Sequence, residues 1–521
     1  MNGLSVYLRK MRIFTSGAFI FLLFTQTSSA QNALFPNNCT LFDDKLHSVN
    51  IIISTTEFIA LQHPDSLWNN RLYPITFVYD GVDTVKRATI RLKGNTSRGS
   101  AKKSFRIDFD KLVNDQTYQG LETIYIHGNH NDASMMREYL SAYVMRELNI
   151  PCNRVNHVKL YINGNYFGLR SLVEYIDKDF LKTRFGSNKG NNYKCTYPAD
   201  LAWLGTTEQR YKDVINASPL QERAYEIKTN EELDDYSRFV TLVNVINNRK
   251  NEASFPQEIE AIFNVNAYLK VLATEVLIGH WDNYYYNKNN YFIYDHPTTK
   301  KFVYIPYDMD NTFGVQWGVS NINKRDIHQW GNSNVKAPLT ESLLAQDAYR
   351  KQYEFYLFQA IQDVFNESHL FPVIDSLYRR IENAIATDPQ YLGQQNSTYG
   401  YRFADWKKSV TQSLGDHNTH GIKPYISDRV KSAKEQFRYA HDLTNLQTAT
   451  LRIFPNPGTE RFQVLFDSNK AEIIQLLNMQ GSVLKSQLLI SGEAFNASDL
   501  ASGCYYIRVG QNAPIKWLKI D

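Results

Sequence analysis

Apolar and polar positions alternate along the first third of the chain and recur at helical spacing along the second. From about 48 to 60 the pattern is a strand running into a helix start. Residues 73–80 and 86–93 alternate as strands near the turn Asp80-Gly81. Residues 103–109 alternate strictly, with Lys103, Phe105, Ile107 and Phe109 on one face and Ser104, Arg106 and Asp108 on the other. A strand at 122–127 follows. From Ser134 to Leu148, Met136, Leu140, Val144 and Leu148 recur every four residues, which predicts a helix. Residues 155–162 and 166–175 form a hairpin around Asn163-Gly164. Further on, 220–262, 340–385 and 404–440 carry helical periodicity, and 266–278 is a mostly apolar helix. Two short strands, 290–294 and 302–307, stand between them. Strands first and helices second predict an α+β body over 48–440. After a linker at 441–450, short strands at 451–521 predict a small all-β sandwich.

Composition narrows this picture. With 43% hydrophobic and 21% charged residues in 521, the chain is neither disordered nor fibrous. The net charge of +4 is mostly leader. Residues 1–30 read as a signal peptide: basic Arg9, Lys10 and Arg12, an apolar run from Ile13 to Phe24, and a small-residue cleavage site at Ser28-Ser29-Ala30. The apolar run is shorter than the roughly 20 residues of a membrane span, and no other such run follows. The mature chain, with an N-terminal segment at 31–47, is thus expected to have no transmembrane span. Nor does it carry the clustered basic face of a nucleic-acid partner. Cys39, Cys152, Cys195 and Cys504 have no zinc spacing and allow at most one bridge in the body.

The densest polar and aromatic segment runs from His280 to Tyr291. An antiparallel hairpin of 290–294 and 302–307 would bring its open ends to about 5 Å. That places Asp282 and Asn287 near Asp308 and Asp310. Such oxygen ligands suit Mg²⁺ or Mn²⁺. His280-Trp-Asp282 to Asn287 has the spacing of a kinase catalytic loop, and a short hairpin then leads to a metal-binding Asp. Asp308-x-Asp310 is not an EF-hand, because Phe313 and Val319 occupy the positions of the required Gly and Glu. Upstream, Arg91 to Arg106 joins two strands through Gly94, Asn95, Ser97, Gly99, Lys102 and Lys103. Its small residues let backbone N–H groups approach phosphate, and its cations would neutralise it. A solvated basic hairpin or a polar sugar-binding loop uses the same residue types.

Together these segments resemble the CotH kinase family, the spore-coat CotH-like atypical protein kinases. The resemblance is carried by Arg91 to Ile107, by Asn129 to Arg137, by Gly164 to Gly168 with Glu174 and Asp177, and by His280 to Asn287. Tyr307 to Gly314 completes it. It implies a divergent kinase-like, two-lobed fold with a strand-rich N-lobe and a helical C-lobe. It further implies ATP and a divalent metal as cofactors and protein Ser/Thr as substrate. By matching positions Asp282 would be the catalytic base, and Asn287, Asp308 and Asp310 would hold metal. Lys102 or Lys103, with preference for Lys102, would contact phosphates, and Arg91, Asn95, Ser97 and Glu174 are further cofactor-binding candidates. Arg137 is a candidate too, or simply one half of an ion pair at a helix start. Ala101 and Lys93 depart from the family's usual Pro and Arg. A second resemblance, in Phe454 to Gly458, Leu477 to Gly481, Leu500 to Tyr505 and Lys516 to Lys519, is to the type IX (Por) secretion sorting domain of Bacteroidetes. It implies export across the outer membrane, to the cell surface or beyond, by the type IX machinery.

Three functions compete: an exported ATP-dependent protein Ser/Thr kinase, a secreted surface or binding protein on a catalytically silent kinase-like scaffold, and a glycan hydrolase using Asp282 and Asp308 as a carboxylate pair. The last needs its carboxyls about 5–10 Å apart.

Overall fold

The computed structural model describes residue 35 and residues 39–319, 321–393, 400–415, 417–439, 451–466, 472–490, 493–510 and 514–520. The expected signal peptide at 1–30 and linker at 441–450 lie outside the described residues.

Seven strands, β1 (His47–Ile52), β2 (Tyr73–Tyr79), β3 (Asp83–Lys93), β4 (Ser104–Asp108), β5 (Thr123–His127), β6 (Val155–Ile162) and β7 (Asn165–Glu174), close into a barrel in the order β1-β2-β3-β4-β5-β7-β6. Closure comes from a parallel pairing of β1 with β6, Val49 opposite Leu160. Side chains fill the interior, among them Val49, Phe77, Ile90, Leu92, Phe105, Ile107, Ile124, Ile126, Leu160 and Leu172. The strand-rich half expected from the sequence is therefore present, but as a closed barrel.

The two-residue period then fixes what the barrel shows outside. With Ile90 and Leu92, Phe105 and Ile107, and Ile124 and Ile126 inside, Arg91, Lys93, Arg106, Tyr125 and His127 face out. Arg91 lies opposite Arg106, and Arg106 opposite Tyr125, in one row across three strands.

A second sheet, β8 (Asn192–Cys195), β9 (Tyr225–Ile227), β10 (Tyr291–Asp295) and β11 (Phe302–Pro306), runs in the order β11-β10-β8-β9. The helical expectation for 220–262 is corrected here. Residues 225–227 are strand β9, hydrogen-bonded to β8, and helix occupies only Ser237–Asn248 and Phe255–Ile262. Around this sheet pack helices Arg137–Glu147, Val265–Ile278, Asp347–Asp363, Glu367–Ala386 and Ile422–Gln436, which share the largest apolar core.

The tail has two sheets. Strands β12 (Arg452–Phe454), β13 (Arg461–Leu465) and β16 (Ala494–Asn496) form one, and β14 (Glu472–Leu477), β15 (Val483–Leu489), β17 (Gly503–Val509) and β18 (Ile515–Lys519) the other. Phe462, Val464 and Phe495 from the first pack on Ile474, Leu476, Ile507, Val509 and Trp517 from the second, as in a small sandwich. All four cysteines are free, and no described helix is long and apolar enough to cross a membrane.

Candidate active site

Strands β10 and β11 form the anticipated hairpin, Tyr291 opposite Pro306. Their open ends hold the two acidic segments side by side. Helix Val265–Ile278 stops at Gly279 (φ 74°), where any Cβ would meet the Tyr425 hydroxyl at 2.3 Å. The next turn is organised by buried Glu275, which accepts from Asn283 Nδ2 at 2.7 Å and Tyr304 Oη at 3.3 Å and lies 3.5 Å from His280 Nδ1. Asn283 Oδ1 in turn caps the short helix Tyr284–Asn287. These contacts hold the turn that carries Asp282. Its carboxylate accepts from three carboxamides, Asn287 (2.6 Å), Asn289 (3.0 Å) and Asn290 (3.0 Å). Burial still lifts its pKa above the ordinary carboxylate range, with Asp308 adding to the rise.

Across the hairpin, Asp308 (φ 53°) opens a loop that is tied down on both sides. Asn311 Oδ1 accepts from Asn131 Nδ2 at 2.9 Å, Thr312 Oγ1 meets Ser141 Oγ at 2.9 Å, and Phe313 N donates to Ile278 O at 2.7 Å. Asp308 and Asp310 share the acidic pocket unequally. Burial works to raise both, but the Lys93 ammonium, by charge and by hydrogen bond, holds Asp308 down at about 2. Burial, Asp308 and Glu138 push Asp310 well up. Two neighbouring carboxyls so separated are a common feature of acid–base and metal sites.

The lysine that meets Asp308 is Lys93, its Nζ 3.1 Å from Oδ2. Asp308 keeps 25% of its side chain exposed and Lys93 11%, so the pair is reachable from the cleft. The ammonium lies over the rings of Tyr125 (4.9 Å) and Tyr307 (5.4 Å). Lys102, the residue preferred for phosphate contact, lies elsewhere. Lys102 is buried 3.1 Å from Asp388 and 4.9 Å from the Tyr391 ring centre, and Lys103 donates to the carbonyls of Arg98 and Ser100. Glu174 is likewise engaged elsewhere, held between Arg154 and Arg184. Arg91 donates to Asn70 at 2.7 Å. Asn95 is exposed before the turn Thr96–Gly99, and Ser97 Oγ fills the space beside Gly94 (φ 102°). Arg137 is the anticipated ion-pair partner, bound to buried Asp132 at the start of its helix.

Besides Lys93, two residues at this site were not anticipated. His127, the last residue of β5, and Glu138, in the first turn of helix Arg137–Glu147, join Asp308 in a group whose ligand atoms all lie within 4.8 Å of one another. His127 Nδ1 sits 2.8 Å from Glu138 Oε1. With Nδ1–H given to that carboxylate, Nε2 carries the lone pair. That nitrogen is buried without a protein partner, as is Asn129 Oδ1. An imidazole nitrogen, carboxylates and a carboxamide oxygen with spare acceptor capacity fit a divalent cation. These residues escaped notice because Asp308, which they join, lies far off in sequence. The available signal was a strand ending in His127 just before the Asn- and Asp-rich run into a helix.

The sequence model of the family described as CotH kinase protein matches residues 90–432, and that of the secretion system C-terminal sorting domain matches 452–520. The inner spore coat protein H of Bacillus subtilis (strain 168) is 26% identical over 306 residues, covering 58% of this chain and 78% of that protein. Invasin CotH2 of Rhizopus delemar is 23% identical over 347 residues, covering 62% and 56%. Spore coat protein homolog 1 of the same fungus is 24% identical over 348 residues, covering 63% and 54%, so the chain spans about half the length of these fungal relatives. The chain thus belongs to the CotH kinase protein family and carries a C-terminal secretion sorting domain.

Proposed function

We propose that this protein is an exported CotH-like atypical kinase that transfers the γ-phosphate of ATP to a protein Ser or Thr with Mg²⁺ or Mn²⁺. The observation that carries the reading is the convergence of Asp282 with Asp308 and Asp310 at the open end of one hairpin, with Lys93 reaching in from the barrel. In this reading the barrel plays the N-lobe and the helical half the C-lobe of a two-lobed kinase, and the sorting domain hands the folded chain to the type IX machinery.

Each residue has a task. Asp282, held by three carboxamides with an upshifted pKa, accepts the proton of the substrate hydroxyl. The hydroxyl oxygen forms its bond to the γ-phosphorus as the bond to the β-phosphate's bridging oxygen breaks, and ADP departs. Lys93 sits where the phosphates approach Asp308. Asp308, Asp310, Asn287, His127 and Glu138 are the residues that would hold the metal, which when bound neutralises phosphate charge.

The second reading, a surface binding protein without turnover, draws support from the relatives named invasin. Manganese binding followed by electron paramagnetic resonance separates the two. The kinase reading expects ATP-dependent Mn²⁺ binding, weakened at least tenfold in Asp308→Asn and in His127→Ala. A chain that binds neither metal nor nucleotide refutes it and leaves the binding protein.

A further inference from the structure

The cleft beside Asp308 has a second wall. Strand β8 pairs with hairpin strand β10, Lys194 opposite Phe292, and the Phe292 ring packs edge-on against Tyr307 at 5.2 Å. The same sheet that positions Asp308 therefore positions Lys194. The Lys194 ammonium lies 5.9 Å from the Tyr307 ring centre, and Lys93 lies over the same ring. Lys228, just past β9, is a third neighbouring cation. Arg106 closes the group from the barrel side, 4.7 Å over the Tyr175 ring, and that ring is 5.0 Å from Tyr125.

Charge accounting isolates one member. Lys93 has Asp308, Lys228 has Glu226, and Arg106 has Asp108. Among the described residues the Lys194 ammonium has neither a hydrogen bond nor an ion pair. It is half-buried between like charges. Burial first, and then the repulsion of Lys228, push its pKa down to about 8, although Glu226 and Glu222 pull the other way. A cation held among like charges is poorly placed in the free protein, even with the Tyr307 ring beside it, and well placed to receive an anion.

We infer that Lys194, acting with Lys93 and Lys228, forms the polyphosphate-binding wall of this cleft and grips the phosphate chain of a nucleoside triphosphate. The inference rests on the phosphoryl-transfer reading and extends it to a residue on the second sheet.

The test is calorimetric titration of the full chain, with Mn²⁺, by ATP and by inorganic tripolyphosphate. Lys194→Met keeps most of the apolar stem and removes the charge, and Lys194→Arg keeps the charge. Loss of one charge-assisted contact predicts about ten- to a hundredfold weaker binding of both ligands by Lys194→Met. Lys194→Arg should stay within a few-fold of wild type. The melting temperature of ligand-free Lys194→Met should equal or exceed that of wild type, because a repulsion is removed, which separates lost contact from lost fold. Equal affinity of wild type and Lys194→Met for both ligands overturns the inference alone. A wild-type chain that binds neither ligand overturns the phosphoryl-transfer reading and the inference with it.

Discussion

Without the ammonium of Lys93, Asp308 would face Glu138 and Asp310 with no cation in hydrogen-bond contact. Breaking such a buried pair from one side costs about 3–5 kcal/mol. Lys93→Met should therefore lower the free energy of unfolding in denaturant titration by roughly that amount, and saturating Mn²⁺ should restore much of it. A loss below about 1 kcal/mol would mean the pair is solvated. Asp177 behaves in the opposite sense. It caps helix Lys178–Phe185 by accepting from Asp179 N and Phe180 N, yet burial, then Asp179, raise its pKa from 3.8 to about 7. The folded state thus holds this proton more tightly than the unfolded one. The associated stability is complete below about pH 4 and drains away as the pH rises to about 7. Asn caps equally well without the charge. Asp177→Asn should match wild type at pH 4 and exceed it by about 1–3 kcal/mol at pH 8. Equal stability at both pH values would show that the carboxylate ionises without cost.

Among the elements, β7 and the turn after helix Glu367–Ala386 are locked by one carboxylate. Asp388 accepts from Leu169 N at 2.9 Å and from Lys102 Nζ, and a Cβ on Gly168 (φ 109°) would lie 2.5 Å from its oxygen. Asp388→Ala leaves Lys102 buried without its counterion and should cost about 3–5 kcal/mol by thermal or denaturant unfolding. Metal binding at Asp308 by the folded fraction should stay unchanged, and a matching loss of metal affinity would return Lys102 to the active site. The elements differ in how legible they were. The β10–β11 hairpin was plain, since two short apolar runs flank a turn of Asp295 to Lys300, and so was the face of β4 that carries Arg106. Closure of the barrel was not, because β1 ends at Ile52 and β6 begins only at Val155. Strands β8 and β9 are too short to print a period. Alternation could say which side of β3 carries Lys93, but its meeting with Asp308, 215 residues away, depends on how barrel and hairpin sit together. The preference for Lys102 came from the family motif, and the fold sets Lys93 rather than Lys102 beside Asp308.

Over the whole molecule, the tail rests on the body through the turn Asn478 to Gly481. Asn264 Nδ2 donates to Gln480 O at 3.2 Å, and Lys270 lies 5.6 Å from the Tyr506 ring centre. Gly481 (φ 78°) has no room for a side chain, since a Cβ would come 2.2 Å from Asn266 Nδ2. Gly481→Val adds about 1–2 kcal/mol of left-handed strain to that clash. In calorimetry it should lower the tail's transition and spare the body's; an unshifted tail transition would show that the turn adapts. The tail and the body serve one account, in which a sorting domain exports a barrel-and-helix body whose cleft transfers phosphate. That account stands or falls on transfer itself. Radiolabelled ATP, with Mg²⁺ or Mn²⁺, should label the wild-type chain or a Ser/Thr-bearing acceptor protein, and Asp282→Ala and Asp308→Ala should each abolish the label while remaining folded. Absence of label from wild type with either metal, or label that persists in both variants, would contradict it.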